Sequence, residues 1–307
     1  MRLIGGRSAR LLPGPAMNLN NPTLNGSIEG QVAPSLPVTH IRPPSPWPSL
    51  RIGEVWEYRD LLFILAWRDI KVRYKQTTLG AAWAVLQPIL TMVVFSLLFG
   101  GIAHLPSEGI PYPIFTFTAL LPWQLFAYAM TESGNSLVAN QQLITKVYFP
   151  RLVIPLGGVL AGLVDFTIAF LVLLGMMLIY GVPLSWNILA LPAFIFLAVL
   201  IALTVGIWLS ALNVEYRDVR YTIPFLTQFW MFATPIAYSS SLIPENLRWL
   251  YSLNPMVGVV EGFRWAVLGR QGFSLPFFLL SIGVMLVLFA GGVAYFRKME
   301  NGFADNV

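Results

Sequence analysis

Residues that could carry chemistry are few in this chain, and they do not form a cluster. No cysteine is present, which excludes disulfides, thiol chemistry and Cys-ligated metal sites. His40 and His104 are far apart and lack the spacing of metal ligands, so we interpret them as ordinary loop residues. No Gly-rich phosphate-binding loop of the GxxxxGK(S/T) type occurs. We therefore expect no catalytic residue, no metal, no bound cofactor and no nucleotide hydrolysis by this chain itself.

Ionisable residues inside apolar runs are the next candidates, because charge is costly within a membrane. Asp165 lies midway along an apolar run and has no cation near it in sequence. It could serve proton-coupled export, but we favour a hydrogen bond to a neighbouring Ser or Thr. Glu132 lies nearer the cytoplasmic end of its run and is expected at the interface. Glu261 and Arg264 have i, i+3 spacing and are expected to pair on one helix face.

Composition identifies an integral membrane protein. Hydrophobic residues make up 56% of the 307 residues and charged residues only 11%, whereas a soluble domain carries about a quarter charged residues. The net charge of +5 could suggest nucleic-acid binding. We reject that interpretation because the cations lie at the ends of apolar runs rather than in one patch.

Six apolar runs predict an all-α fold with six transmembrane helices, since each is long enough to cross or nearly cross a hydrocarbon core of about 30 Å. The runs cover approximately residues 79–103, 113–133, 152–180, 188–212, 221–238 and 273–296. All lysines and arginines except Arg248, Arg264 and Arg270 fall on one side of this arrangement. The bias predicts that both termini are cytoplasmic.

The segment 239–272, between the fifth and sixth runs, is too apolar for a plain outer loop. Asn254 is a good helix N-cap and Pro255 suits a first helical turn, so a helix should begin there. We expect two short re-entrant helices that dip into the membrane and return. Two further full spans are the alternative, but they would need longer apolar runs.

The region before the first span divides into a tail and a helix. Residues 1–50 are rich in Pro, Gly, Ser and Asn, and we expect a disordered cytoplasmic tail. Residues 51–78 should form an amphipathic interface helix, followed by the six-span domain at 79–307. Its expected aromatic face comprises Phe63, Trp67, Ile70 and Tyr74, and its cations are Arg68, Lys71, Arg73 and Lys75. The alternative is a soluble helix that packs on its own domain.

Six segments, in this order, resemble the ABC-2-type permeases that export polysaccharides. They are RDIKVRYKQTTLGAAWAVLQP, LLPWQLFAYA, LITKVYFPR, LNVEYRDVRYTIPFLTQFWMFATPIAY, LNPMVGVVEGFRW and YFRKMENGFADNV. The similarity covers about residues 52–307, is closest to O-antigen (lipopolysaccharide) exporter permeases and extends to teichoic-acid exporters. The first fifty residues have no counterpart.

The resemblance implies a homodimer in the bacterial inner membrane that binds two copies of a separate ATPase subunit. ATP and Mg would be held by that ATPase, and a lipid-linked polysaccharide would leave through the channel between the two permeases. The resemblance also places the outer gate at about 244–268. The candidate gate residues are Arg248, Trp249, Asn254, Pro255, Glu261 and Arg264.

The resemblance further places an ATPase-coupling helix between the second and third spans. The candidate residues are Gln142, Leu143, Ile144, Lys146, Val147, Phe149 and Arg151. Their types support this role independently, because an exposed apolar cluster on a short cytoplasmic connection is a surface for a partner. The alternative is that these side chains rest on the lipid interface.

Aromatic residues concentrate in the first, second and fifth spans and could line a glycan conduit. Sugar rings have apolar CH faces that stack on aromatic rings, and their hydroxyls need polar neighbours. The candidate lining residues are Trp83, Phe95, Tyr221, Phe225, Gln228, Phe229, Trp230 and Phe232. Membrane-interface belts and helix packing are the alternative roles for such residues.

The predicted function is the membrane subunit of an ATP-driven exporter of lipid-linked polysaccharide, with membrane lipids around it. One alternative keeps the fold and changes the cargo to teichoic acid, capsule, another lipid or a drug. Another is a membrane-embedded glycan-processing enzyme, which would need a cluster of acids, His or Arg. The scattered ionisable residues of this chain argue against that enzyme.

Overall fold

The structure, a computed structural model, describes residues 52–75, 80–147, 149–216, 218–269, 273–300 and 303. The predicted tail at 1–50 and the junction at 76–79 between the interface helix and the first span lie outside these residues. Throughout the described part of the chain, regular structure is helical and no strand occurs. The predicted all-α class is therefore confirmed.

Eleven α-helices account for most of the described residues. In chain order they are α1 Ile52–Glu57, α2 Arg59–Lys75, α3 Gly80–Phe95, α4 Tyr112–Ala139, α5 Gln141–Lys146, α6 Val153–Ile179, α7 Leu191–Glu215, α8 Val219–Phe232, α9 Arg248–Tyr251, α10 Pro255–Leu268 and α11 Leu275–Glu300. A π-helical segment, Ser96–Ile102, extends α3, and a 3₁₀ turn, Trp186–Ala190, precedes α7.

Five helical segments are long and apolar enough to cross a membrane. They are Ala82–Ile102, Tyr112–Ala139, Val153–Ile179, Trp186–Glu215 and Leu275–Glu300. These match five of the six predicted runs and support a multi-pass membrane protein. The remaining run, 221–238, contains the 14-residue helix α8 and then non-helical chain. The six-span count therefore stays a prediction.

Helix α4 is the centre of the described bundle, because it packs against α7, α6, α10, α3 and α8. It has the lowest hydropathy of the five apolar helices and the largest buried share. Its buried side chains include Thr116, Thr118 and Ser133. A helix surrounded by other helices can carry such polar groups, whereas a lipid-facing helix needs apolar ones.

Two glycines allow neighbouring helices to approach α4 closely. A Cβ added at Gly206 of α7 would lie 2.5 Å from the Cβ of Ser133, and one at Gly162 of α6 would lie 2.5 Å from Cδ1 of Tyr128. Small residues at such contacts let helix backbones pack tightly where lipid provides no hydrophobic driving force. These contacts fix the positions of α6 and α7 around the central helix.

The chain after α8 is irregular until the helix pair α9 and α10. Helix α8 ends just before Pro235, which lacks an N–H and disfavours helical geometry in the residue that precedes it. Helix α10 begins at Pro255, and the Asn254 side chain accepts a hydrogen bond from Met256 N at 3.0 Å, so the predicted cap is confirmed. Helix α10 ends at Gly269, whose φ of 68° is left-handed.

Candidate functional site

A cavity of about 550 Å³ lies among α2, α3, α4, α6 and α8. Its wall combines amides, hydroxyls and aromatic rings with a small charged group. The amide, hydroxyl and aromatic members include Trp83, Gln87, Thr91, Trp123, Gln124, Tyr128, Thr131, Thr227 and Gln228. Such a wall can hydrogen-bond hydroxyl groups and stack on apolar ring faces, which are the two features of a sugar.

The charged group of this cavity is built around Asp165. A guanidinium nitrogen of Arg73 lies 2.5 Å from one carboxylate oxygen, and the Tyr74 hydroxyl donates to the other. The Arg73 guanidinium also lies over the Tyr128 ring, 4.4 Å from its centroid. Burial, together with the bond to Asp165, raises the pKa of the Tyr74 phenol. We expected a Ser or Thr partner for Asp165, and that prediction is wrong because residues of α2 reach it instead.

Helix α2 does not segregate aromatics and cations as predicted. Phe63 and Trp67 are exposed and their rings stack with centroids 6.3 Å apart. The Lys71 ammonium lies 5.5 Å from the Trp67 ring centroid on the same outer surface. Tyr74, expected on the aromatic face, and Arg73, expected among the outer cations, both turn inward to Asp165. The physical reason is the buried carboxylate of α6, which needs both a donor and a counter-charge.

The remaining α2 cations lie at its outer surface. Arg68 bonds to Asp69 at 2.8 Å and donates to the Asn140 side chain at 3.0 Å, which ties α2 to the end of α4. Lys75 is exposed at the last residue of the helix. Leu65, in contrast, is buried, and it lies against Gly157 of α6.

Helix α8 presents an exposed, largely aromatic face. Its exposed members are Tyr221, Phe225, Gln228, Phe229 and Phe232. The rings of Phe225 and Phe229 stack with centroids 6.5 Å apart. Its four aromatic members follow one another at intervals of three or four residues, so they share one side of the helix. Gln228 joins this face to the cavity wall.

One of the predicted lining residues is buried and another is partly buried. Phe95 is only 8% exposed and meets Phe99 edge-on at 5.4 Å, so the lining assignment is wrong for it. Trp230 is partly buried, packs edge-on against Phe126 at 5.1 Å and donates its indole N–H to Asn254. Its lining role stays a prediction. Of the α3 candidates, Trp83 is exposed and borders the cavity.

The predicted coupling segment divides into a buried and an exposed part. Ile144 and Phe149 are each 2% exposed and belong to a core with Leu65 and Phe296. They are anchors of the connection, so the expectation that they form an exposed apolar cluster is wrong. Helix α5 is short, and packing two of the apolar side chains against the bundle is what holds it in place.

The exposed part of the connection comprises Gln142, Lys146 and Val147, and Leu143 is partly buried. Arg151 donates to the carbonyl of Ile144 at 2.6 Å and thereby closes the loop. This leaves a small mixed surface, rather than a broad apolar one, at the end of α4.

Arg264 is the buried charge of the candidate gate. Its guanidinium donates to the carbonyls of Ile236 and Tyr238 at 2.7 and 3.3 Å, and it lies 3.7 Å from the Phe115 ring centroid. Burial lowers its pKa to about 10, so the side chain stays charged at neutral pH. We expected a direct pair with Glu261, but the guanidinium binds the carbonyls of the irregular chain after α8 instead.

The other gate residues fix the two short helices. Asn254 caps α10, accepts from Trp230 at 2.8 Å and donates to the carbonyl of Ala233 at 3.1 Å. Arg248 begins α9 and lies 3.8 Å from Glu245. Trp249 is 55% exposed beside it. Asn254 and its neighbour Pro255 therefore link the start of α10 to the end of α8.

Sequence reasoning missed the polar members of the cavity on α3 and α4. Gln87 and Gln124 border it, and amides inside apolar runs were the available signal. Polar side chains in membrane spans usually face a helix bundle or a cavity. The sequence alone could not show that residues from separate spans meet at one place.

Five apolar helices, three of which border a polar, aromatic cavity, indicate a multi-pass membrane protein. The sequence profile described as ABC-2 type transporter matches residues 60–268. The chain belongs to this family.

Named relatives come from three bacteria. The O-antigen export system permease protein RfbA of Klebsiella pneumoniae is 32% identical over 249 residues, which is 80% of this chain and 94% of the relative. RfbA of Myxococcus xanthus is 30% identical over 259 residues, covering 83% and 98%. The polysialic acid transport protein KpsM of Escherichia coli is 28% identical over 242 residues, covering 76% and 91%.

Proposed function

We propose that this chain is the permease subunit of an ATP-driven exporter that carries a lipid-linked, O-antigen-like polysaccharide across the inner membrane. Relatives named as O-antigen and polysialic acid exporters align with three quarters or more of the chain. The observation that carries the proposal is the continuity of the α8 aromatic face with the polar cavity through Gln228. Apart from Arg73, Glu132 and Asp165, the residues of that surface are aromatic, hydrogen-bonding or apolar, which suits neutral sugars.

The conduit in this proposal lies between two copies of the chain. The α8 face is largely apolar and exposed in a single copy, and a second copy would cover it while leaving a passage between the two helices. The proposed lining is reduced to the exposed candidates Trp83, Tyr221, Phe225, Gln228, Phe229 and Phe232. Phe95 supports this wall from behind, and the partly buried Trp230 stays a candidate for it.

The proposed topology has six crossings, with both termini in the cytoplasm. Helix α8 has 14 residues and spans about 21 Å at 1.5 Å per residue. The non-helical residues that follow can bridge the remaining ~9 Å of a 30 Å core at about 3.3 Å per extended residue. The pair α9 and α10 then lies at the outer side as two re-entrant helices. Residues 51–78 form the interface region before the spanning domain at 79–307.

The proposed ATPase contact is the exposed part of the connection after α4. Gln142, Leu143, Lys146 and Val147 are available there, whereas Ile144 and Phe149 hold the connection in place. Two ATPase subunits would bind the homodimer and would hold ATP and Mg. This chain would bind no cofactor and would act as a conduit rather than as an enzyme.

Export by aromatic-face variants tests the conduit. We expect the double substitution Phe225→Ala and Phe229→Ala to abolish or strongly reduce surface polysaccharide in a strain that lacks the chromosomal copy. Complex formation with the ATPase should persist, because both rings are exposed. Phe196→Ala is the matched control, since Phe196 is an exposed ring of α7 away from α8 and the cavity. Normal surface polysaccharide in the double variant would contradict the conduit.

Co-purification tests the coupling surface. We expect Val147→Glu to weaken capture of the ATPase, because Val147 is 50% exposed at the proposed contact. Tyr216→Glu, at an exposed position in a different connection, is the control and should leave capture unchanged. An active exporter assembled without any nucleotide-binding subunit would refute the proposed function as a whole.

A further inference from the structure

A second cavity, of about 200 Å³, lies apart from the proposed conduit. It is formed by the loop before α4, the 3₁₀ turn Ser240–Leu242, helices α9 and α10, and the first turns of α11. In the proposed topology all of these elements face the outer side. Glu108 and Ser241 are exposed at its rim, so the cleft is open to solvent. We name it the outer cleft.

One side of the outer cleft is rich in hydrogen-bond acceptors. Glu108 and Glu261 border it together with Ser240 and Ser241. Glu108 accepts a hydrogen bond from the Ser239 hydroxyl. An ionised carboxylate has about four acceptor positions, so each keeps capacity for a ligand that donates.

The opposite side of the outer cleft is aromatic. Phe273, Phe277 and Phe278, from the residues around the start of α11, line it. The rings of Phe273 and Phe278 pack against each other with centroids 5.0 Å apart, which fixes this wall. Phe277 is only partly buried and offers its ring to the cleft.

This division between acceptors and rings selects a class of ligand. A phosphate is disfavoured, because two carboxylates face the cleft and Arg248, the one arginine among its described lining residues, already lies beside Glu245 and the carbonyl of Ile243. No group of three or more potential metal ligands occurs among the described residues. A neutral sugar fits both sides, since its hydroxyls donate to carboxylates and its CH face stacks on a ring. The volume is below that of a drug-sized pocket and suits one sugar unit.

We propose that the outer cleft is a binding subsite for one sugar unit of the glycan as it leaves the conduit. This inference rests on the proposed function, because it needs both the outer location and a glycan cargo. Glu261 accepts the sugar hydroxyls and Phe277 stacks on the ring. Such a site would retain the leading end of the chain outside and oppose its return.

Saturation-transfer difference NMR on the full chain in nanodiscs, with its ATPase partner, tests the subsite. The probes are methyl hexosides and short oligosaccharides released from the surface polysaccharide of the producing bacterium. We expect transfer with the wild type and affinity reduced roughly tenfold in Glu261→Gln, since a hydrogen bond to a charged group contributes at least about 1.4 kcal/mol. Phe277→Ala should reduce affinity similarly through lost stacking.

The matched controls are Glu57→Gln, at an exposed residue of α1, and Leu275→Ala, at an exposed neighbour of the cleft; neither residue borders it. They should bind the probes as the wild type does. If Phe277→Ala lowers the thermal unfolding midpoint, the comparison rests on Glu261→Gln alone. Absent transfer with the wild type, or equal affinity in Glu261→Gln and wild type, would overturn the subsite. So would displacement of the sugar by inorganic phosphate or Ca²⁺.

Export by the wild type is measured separately in the strain that lacks the chromosomal copy. If the wild type exports polysaccharide but binds no probe, the subsite fails and the proposed function stands. If the wild type exports none, the proposed function fails whatever the NMR result.

Discussion

The contact of Arg73 with Asp165 should be measurable as a coupling energy between α2 and α6. The two charged groups are 2.5 Å apart, with side-chain exposures of 37% for Arg73 and 18% for Asp165. Hydrogen bonds to charged groups contribute about 1.5–3 kcal/mol, whereas exposed ion pairs contribute about 0–1 kcal/mol. Because Arg73 is more than a third exposed, we expect an intermediate coupling of about 1–2 kcal/mol.

A double-mutant cycle with Arg73→Met and Asp165→Asn isolates this coupling. The assay is SDS-driven unfolding in mixed micelles, followed by circular dichroism, with the free energy of unfolding measured for all four proteins. Tyr74→Phe is the control that removes only the phenol hydroxyl. We expect it to lower the free energy of unfolding less than Asp165→Asn does, because Asp165→Asn removes the charge that faces Arg73. Additive effects, within about 0.3 kcal/mol, would refute the view that these residues join the two helices.

Two further predictions concern the packing and capping of α10. Gly262→Ala should lower stability by about 1–3 kcal/mol through overpacking, because the new Cβ would lie 2.0 Å from Cε1 of Phe194. Gly283→Ala is the control, because nothing lies within 4 Å of its new Cβ, and it should be neutral or slightly stabilising. Both variants are measured by thermal unfolding, and equal unfolding midpoints for Gly262→Ala and Gly283→Ala would contradict the packing. Asn254→Ala should cost about 2–3 kcal/mol, since it removes a helix cap and leaves an indole N–H unpaired. The exposed Asn246→Ala is its control, and similar losses in both variants would argue against the cap.

The coarse fold could be predicted because the length of the apolar runs and the positions of the charged residues determine how the chain inserts into a membrane. Five of six runs correspond to long apolar helices, and the start of α10 at Asn254–Pro255 follows from the chemistry of an N-cap and a first-turn proline. The end of the helix within the run at 221–238 could not be predicted, because continuous hydropathy hides a break in the backbone. Pro235 could be seen in the sequence. Because membrane spans tolerate prolines, it gave no reason to end the helix there.

The sites were harder to predict, because a membrane helix is apolar on every side. Periodicity cannot tell a ring that faces a neighbouring helix from one that faces a passage. Phe95 therefore looked like Phe225, although Phe95 is buried in the core and Phe225 is exposed. The same ambiguity affected Ile144 after α4, where short-range sequence could not reveal the core on which it rests.

The contacts of Arg264 have a mechanical consequence. The guanidinium on α10 is bonded to two carbonyls of the chain that follows α8. Pulling these elements apart would strand a desolvated charge and two carbonyl groups, a loss of several kcal/mol. Residues 236–238 and α10 should therefore move together. In the proposed conduit, any widening at the outer side would have to displace both.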